Sequence, residues 1–459
     1  MGSAGRFPAP GAGQVVVVGA GTAGCVVAGR LGEAGYSVVM LEAGAADPPS
    51  SDQRLLTIDY LQAKLATQRW WPSTRIFRGE GDLGERSVPH LAGRGLGGSS
   101  AVNGVIADID LDDPALGSSD EVRAAFARCR LPIDRPDVGE LGELDRALLA
   151  FRGSRLLALH RVDGRRADIA AHYLNDVGDV RIVGGALVER IVEGAYSGDS
   201  PELEVVTASG ESFDAVAVVV CAGTLQTPAI LRRSRIGHDV GVGVQSHPAV
   251  SIPIVRRQPA SRSEIVSAVA VERGPVQLLA LDHVAASPTP AGNPDAALLV
   301  ALMRPIGAAG RIEMVSDDCD ELPLARLRSF DDRRNLAALR HGVRWVLELL
   351  SAAPLAELID VVPPVVLRGD SDQTKPLSSL ADDELDVWIR SEPGAHAHLA
   401  GGCSIGRTLD ADGRVNGTNA VYVADASAFP SIPRTGPHLP TIVQAEQLTA
   451  RWCRAKMQE

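Results

Sequence analysis

Q-V-V-V-V-G-A-G-T-A-G, residues Gln14–Gly24, is a strand that runs straight into a glycine turn. Four consecutive valines read as a strand buried on both faces, as in a parallel sheet covered by helices. The turn leads into a helix over Ala23–Ala34, and a second strand over Ser37–Leu41 ends in Glu42. Strand, turn, helix and strand in about thirty residues make one βαβ unit, whose crossover is right-handed. In Gly19-x-Gly21-x-x-Gly24 the glycines let a backbone approach a pyrophosphate. The amides at the helix N-terminus, around Thr22, favour its negative charge. Glu42 is placed to bind ribose hydroxyls. The unit therefore binds a dinucleotide, and both NAD and FAD fit it.

Further along, Gly93–Gly104 reads G-R-G-L-G-G-S-S-A-V-N-G, five glycines in twelve residues. Such a density is an entropic liability in an idle loop, so a backbone pressed against a ring or a pyrophosphate explains it better. Two glycine loops suit an extended cofactor, which favours FAD. The apolar runs Ala215–Cys221 and Val421–Asp425 read as further buried strands of the same sheet. Between about residues 250 and 395 the pattern changes. Ala268–Glu272, Val276–Leu281 and Ala297–Met303 alternate as antiparallel strands, and Arg334–Leu350 has helical periodicity. The expected fold is α/β (α+β overall). A Rossmann-like dinucleotide-binding domain is assembled from residues 14–125, 180–250 and 395–459. Residues 126–179 and 251–394 form a substrate domain, an antiparallel sheet with flanking helices.

A length of 459 residues fits two domains, and 45% hydrophobic with 22% charged residues is ordinary globular composition. The net charge of −12 argues against nucleic acid or an anionic membrane surface as partner. The arginines of Arg155–Arg166 read as a solvated loop. The first thirteen residues lack the apolar core of a signal peptide, and no apolar run reaches the ~18 residues of a membrane span. The six cysteines show no C-x-x-C spacing, so no metal site or disulfide framework is expected, and a cytoplasmic location is.

Two histidines carry the candidate chemistry. His398 opens H-L-A-G-G-C-S-I-G, and His438 sits in P-R-T-G-P-H-L-P-T before a helix expected to start near Pro440-Thr441. Imidazole is the side chain best suited to moving protons near neutral pH.

Together these segments resemble the glucose–methanol–choline (GMC) family of FAD-dependent oxidoreductases. Gly93–Gly104 is similar to its first signature. Gly223–Gly237, G-T-L-Q-T-P-A-I-L-R-R-S-R-I-G, is similar to the second, with Arg235 where the family usually has glycine. The block from His398 through Val421–Pro433 to His438–Thr441 resembles its catalytic end, and the likeness runs from about residue 14 to 455 in the family's order.

The resemblance implies that Gly19, Gly21, Gly24 and Glu42 hold the ADP part of FAD. It implies Arg94, Gly97, Gly98, Ser100, Asn103 and Gly104 along the pyrophosphate and flavin, and Val188 at the adenine. Asp425 and Ala426 would meet the central part of the cofactor. The helix amides at Pro440-Thr441 would face the flavin. His398 matches the family's catalytic histidine, the base for a substrate hydroxyl, and His438 its second position. Val102 stands where some members link flavin covalently through histidine, so noncovalent FAD is expected. His396 has the wrong offset from Gly401-Gly402-Cys403, His247 reads as structural, and Cys403 as a packed small residue.

The implied activity is oxidation of a small organic alcohol, with oxygen or another electron acceptor. Two alternatives remain: a non-redox lyase that keeps FAD, as some members are, and an idle flavin-binding protein. Residues 105–150 lack the family's M-x-Y-x-R-G continuation and the tryptophan-bearing segment that helps to lid the site. In size the chain is similar to a shortened branch of the family associated with the peptide-derived cofactor mycofactocin.

Overall fold

The computed structural model describes residues 7–71, 74–78, 86–197, 200–258, 261–290, 292–307, 309–367, 373–391 and 397–454. The valine run forms β1 (Gln14–Val18), the middle strand of a five-stranded parallel sheet. Helix α1 (Thr22–Glu33) returns the chain to β2 (Ser37–Glu42), which pairs with β1 from Gln14↔Ser37 to Val18↔Leu41. β3 (Val180–Gly184) lies outside β2. On the other side of β1 come β4 (Ala217–Val220) and then β5 (Val421–Val423). Val15, Val16 and Val17 are fully buried, which is what lets an unbroken valine run serve as a central strand.

The two expected distal strands are shorter than their apolar runs. Ala215 ends a three-stranded meander (Val188–Ser197, Ser200–Thr207, Ser212–Ala215), and only Ala217–Val220 enters the parallel sheet. At the other end, Asp425 leaves the ladder to cap the short turn Ala426–Ala428.

The second half is a six-stranded antiparallel sheet. Its order is Ile359–Val361, Ala249–Arg256, Ala296–Leu302, Val276–Leu281, Val269–Arg273 and Ser154–Leu156. Side chains alternate across these strands. Val250, Ile252, Leu278, Leu298 and Val300 point into a core shared with the helix Arg333–Leu350, whose Leu336, Leu339, Val343 and Val346 form its buried stripe. Ser251, Gln277, Leu279 and Leu299 point the other way, into a cavity. A third sheet joins the halves and contains the neighbours Ala400–Gly402 and Val242–Gln245.

The segment 126–179 is divided between the two cores. Leu144 and Leu148 pack with the antiparallel sheet. Leu131, Ala167, Ile169 and Tyr173 pack with the parallel one. Of residues 105–150, Val105, Ile106 and Asp108 line the cavity, while the helix Ser119–Phe126 lies against the C-terminal helix. The arginines read as solvated are largely engaged. Arg161 and Arg166 are each 6% exposed, because Arg161 meets Asp134 and Glu140 while Arg166 is drawn into the interior by three oxygen acceptors. All six cysteines are free thiols, and among the described residues no cluster could hold a metal ion. No described helix is long and apolar enough to cross a membrane.

Candidate active site

A cavity of about 650 Å³ runs from the carboxyl ends of β1 and β2 to the inner face of the antiparallel sheet. Carboxyl strand ends are where open α/β sheets place their ligands. Gly19, Gly21, Thr22, Glu42 and Val188 line one end. Gly98, Asn103, Gly104, Asp425 and Ala426 line the middle, and His398, His438 and Thr441 reach the same space. Gly24, Arg94, Gly97, Ser100 and Pro440 do not line it but support the loops that do.

The dinucleotide end is built from backbone. A Cβ on Gly24 would lie 1.9 Å from the Gly19 carbonyl oxygen, and one on Gly98 would lie 2.7 Å from the Gly21 Cα. The two glycine loops therefore touch each other and leave room for little else. Gly97 N–H donates to the Ala20 carbonyl, tying them together. No side chain caps the N-terminus of α1, whose amides remain available to an anion. Glu42 accepts from the Ala20, Gly44 and Gly95 amides, each at 2.8 Å, so its carboxylate also fixes both loops. An uncapped helix end, a bare backbone cradle and an anchored acid fit the ADP half of FAD. Arg94 lies over Trp71, 4.7 Å from the ring centroid, and donates to the Ala43 carbonyl. Ser100 Oγ donates to the Gly97 carbonyl.

Asp425 is a clamp. One of its oxygens accepts from Gly223 N and Thr227 Oγ1, the other from Ser427 N and Oγ. Burial pushes its carboxyl up from the ordinary value against those four donors. The clamp holds the end of β5 against the turn into α2 (Gly223–Arg233). Asn103 is oriented in the same manner. Its Oδ1 accepts from Arg166 Nη1 at 2.8 Å and from Val105 N at 3.0 Å, which leaves its NH2 as the donor for the cavity. Burial pulls Arg166 down to about 9, and its other bonds go to the Ser100 and Leu55 carbonyls.

The C-terminal helix α3 runs His438–Arg454, so it begins at His438 rather than at Pro440-Thr441. Thr441 N–H already reaches the Pro437 carbonyl, which places the first helical turn one step earlier. Its positive end consequently faces the cavity beside His438 and Thr441. His438 meets His160 edge-on, with centroids 5.0 Å apart. Burial, with His160 and Arg166 nearby, holds His438 well below the ordinary histidine range. Burial lowers His160 to about 4. His398 lies across a ring-to-ring bond from His247, Nδ1 to Nδ1 at 2.9 Å, and His247 Nε2 meets the Pro433 carbonyl at 3.0 Å. His396 lies outside the described residues. Cys403 is fully buried, and burial pushes its thiol up, as suits a packing residue.

The two depressed imidazoles make a stability prediction. Each binds a proton in the unfolded chain but not in the folded one, so stability is lost as pH falls below the unfolded value of about 6.5. For His160 the loss continues down to about 4. It amounts to about 1.4 kcal/mol per pH unit per group. Urea unfolding at pH 5 and pH 7 measures it. His160→Asn, whose amide still meets the Pro132 carbonyl held by Nδ1, is expected to show a shallower decline. Equal declines in parent and variant contradict the assignment.

Sequence reading passed over several lining residues. Tyr60, Trp70 and Trp71 flank the second glycine loop, and Ser251, Ser267, Gln277, Leu279 and Leu299 form the far wall. The alternation of those strands was the available signal, but it does not say which face is the wall.

Comparison with known proteins agrees with this fold. GMC oxidoreductase models match residues 151–249 and 307–445. An uncharacterised GMC-type oxidoreductase of Rhodococcus erythropolis is 27% identical, covering 95% of this chain and 97% of its own. The 5-(hydroxymethyl)furfural oxidase of Methylovorus sp. is 25% identical, covering 94% and 97%. The solved structure of a pyridoxine 4-oxidase from Mesorbium loti superposes with a TM-score of 0.81 at 20% identity, over 97% of this chain and 99% of that one. With a Rossmann-like half, two interlocked glycine loops and both family models in their order, the chain belongs to the GMC oxidoreductase family, FAD-dependent enzymes acting on alcohol groups.

Proposed function

We propose that the protein oxidises a small or medium organic alcohol, with His398 as general base, His438 as its partner and FAD held noncovalently. The observation that carries this reading is that both imidazoles line the cavity formed by the two glycine loops. FAD, when bound, supplies the hydride acceptor. A carbinol carbon gives up hydride readily only while its hydroxyl proton is being removed, so the protein's task is to receive that proton. His398 is the group suited to do so. His438, neutral because it is buried, donates an N–H to the oxygen as negative charge develops there. The start of α3 adds a favourable potential on the same side. Val102, packed with Leu55 and Ala101, presents only hydrocarbon to the cavity and supports noncovalent binding. The wall of Leu279 and Leu299 with Ser251 and Gln277 suits a neutral organic substrate.

The test is anaerobic addition of an alcohol panel to the flavin-loaded protein while its absorbance is followed. Bleaching by an alcohol is expected, and the bleached protein is then offered oxygen or an artificial acceptor to identify the oxidant. A bound flavin that no member of the panel bleaches overturns the proposal.

A further inference from the structure

We propose that His247 is a positioning residue that fixes which nitrogen of His398 receives the substrate proton. This rests on the reading of His398 as base. Backbone register brings the two rings together. Val242–Gln245 pairs antiparallel with Ala400–Gly402 through Gln245↔Ala400. His247 and His398 lie two residues beyond that pair, one on each chain segment, where the register sets them opposite each other on one face. Their rings meet at 81° with centroids 5.2 Å apart, and His247 is fully buried.

The protons follow from what each atom can do. The Pro433 carbonyl only accepts, so His247 Nε2 carries a hydrogen and donates it. In a neutral His247 ring, Nδ1 is then the acceptor. The 2.9 Å bond between the two Nδ1 atoms requires the hydrogen to sit on His398. In a neutral His398 the lone pair is therefore on Nε2. Gly436 lies against that edge of the ring: a Cβ there would come within 3.3 Å of both His398 Cε1 and Nε2. The same loop thus sets His247 through Pro433, clears the Nε2 edge through Gly436, and leads into His438.

When the substrate O–H breaks, its proton forms the new bond at His398 Nε2 and His398 becomes imidazolium. Its Nδ1–H still donates to His247, which keeps its own proton. The Pro433 carbonyl is too weak a base to take the Nε2 hydrogen of His247, so the proton is not passed on to it and stays on His398. His247 thus holds His398 in one tautomer and orientation, the part of a hydrolase-triad carboxylate's role that needs no charge.

The test uses the flavin-loaded protein with His247→Leu and His247→Asn. Asparagine can set an amide oxygen close to the former Nδ1 and still accept from His398; leucine cannot. His247→Leu is expected to lower the anaerobic reduction rate at saturating alcohol about 10–100-fold, at unchanged flavin content and KM, a part of the ~10²–10⁴-fold that a positioned general base contributes. His247→Asn is expected to recover to within a few-fold of the parent. Equal losses in both variants, or parent-like rates in His247→Leu, overturn the inference. Nitrogen-15 spectra of histidine-labelled protein give a readout independent of turnover. The resonances lost in His398→Asn are expected to show a proton on Nδ1 and none on Nε2, and the opposite pattern overturns the inference. If His398→Asn itself still reduces normally, it is the base reading that fails.

Discussion

Replacement of His398 by alanine is expected to slow flavin reduction by alcohol by about 10²–10⁴-fold, the span that one positioned general base contributes. Flavin should stay bound, because the contacts built for its ADP half lie on the two glycine loops and Glu42 at the other end of the cavity. Alanine also removes the donor to His247 Nδ1, a fully buried acceptor. Losing such a buried hydrogen bond costs about 0.5–1.5 kcal/mol, so this variant is expected to melt earlier as well. His398→Asn separates the two effects. Its side-chain amide can still donate to His247, but it has no basic nitrogen to take a proton. Rates should fall as far as in alanine while the melting temperature stays closer to the parent. Stopped-flow reduction, flavin content and thermal unfolding of both variants make the comparison. A His398→Asn protein that bleaches at the parent rate removes His398 from the mechanism.

The uneven legibility of this site has physical causes. The parallel sheet could be read because burial on both faces demands unbroken apolar strands, and β1 consists of little else. The glycine loops could be read because their close approach excludes every other residue type at Gly24 and Gly98. Arg235, at φ +57°, keeps the left-handed backbone of a position usually given to glycine, so even that departure preserves the turn. Other features depend on partners distant in sequence. The role of His247 comes from a carbonyl 186 residues away, and nothing in G-V-Q-S-H-P announces it. Arg166 resembles a solvated arginine until Leu55 and Ser100, 111 and 66 residues earlier, supply its acceptors. The sequence places the start of α3 two residues late because Pro440 is a common first-turn residue, whereas the helix already begins at His438. Alternation located the strands of the far wall, but only the covering helix Arg333–Leu350 decides which face is left for the cavity.

Gly98→Val is expected to yield a folded protein that no longer retains flavin. Two penalties combine at this position. The backbone has φ +51°, a left-handed conformation that costs an L-residue about 1–2 kcal/mol and a β-branched one more. The added Cβ would also sit 2.7 Å from the Gly21 Cα, an atom of the other glycine loop with no rotamer to escape into. Relief requires the two loops to separate, and their contact is what shapes the backbone cradle at the N-terminus of α1. Moving those amides away from an anion gives up much of the binding site, so affinity should fall by at least about 100-fold, or about 3 kcal/mol. Gly98→Ala should lose less, because it adds the clash without the β-branch. Gly117→Ala is the control. Its φ is +95°, also left-handed, but a Cβ there meets nothing within 4 Å. It should lose some stability and keep its flavin. Flavin content after gel filtration, with titration of the apoprotein, orders the three variants. Should Gly98→Val bind FAD as tightly as Gly117→Ala, the contact between the loops is not what forms the site, and the amides of α1 alone must suffice.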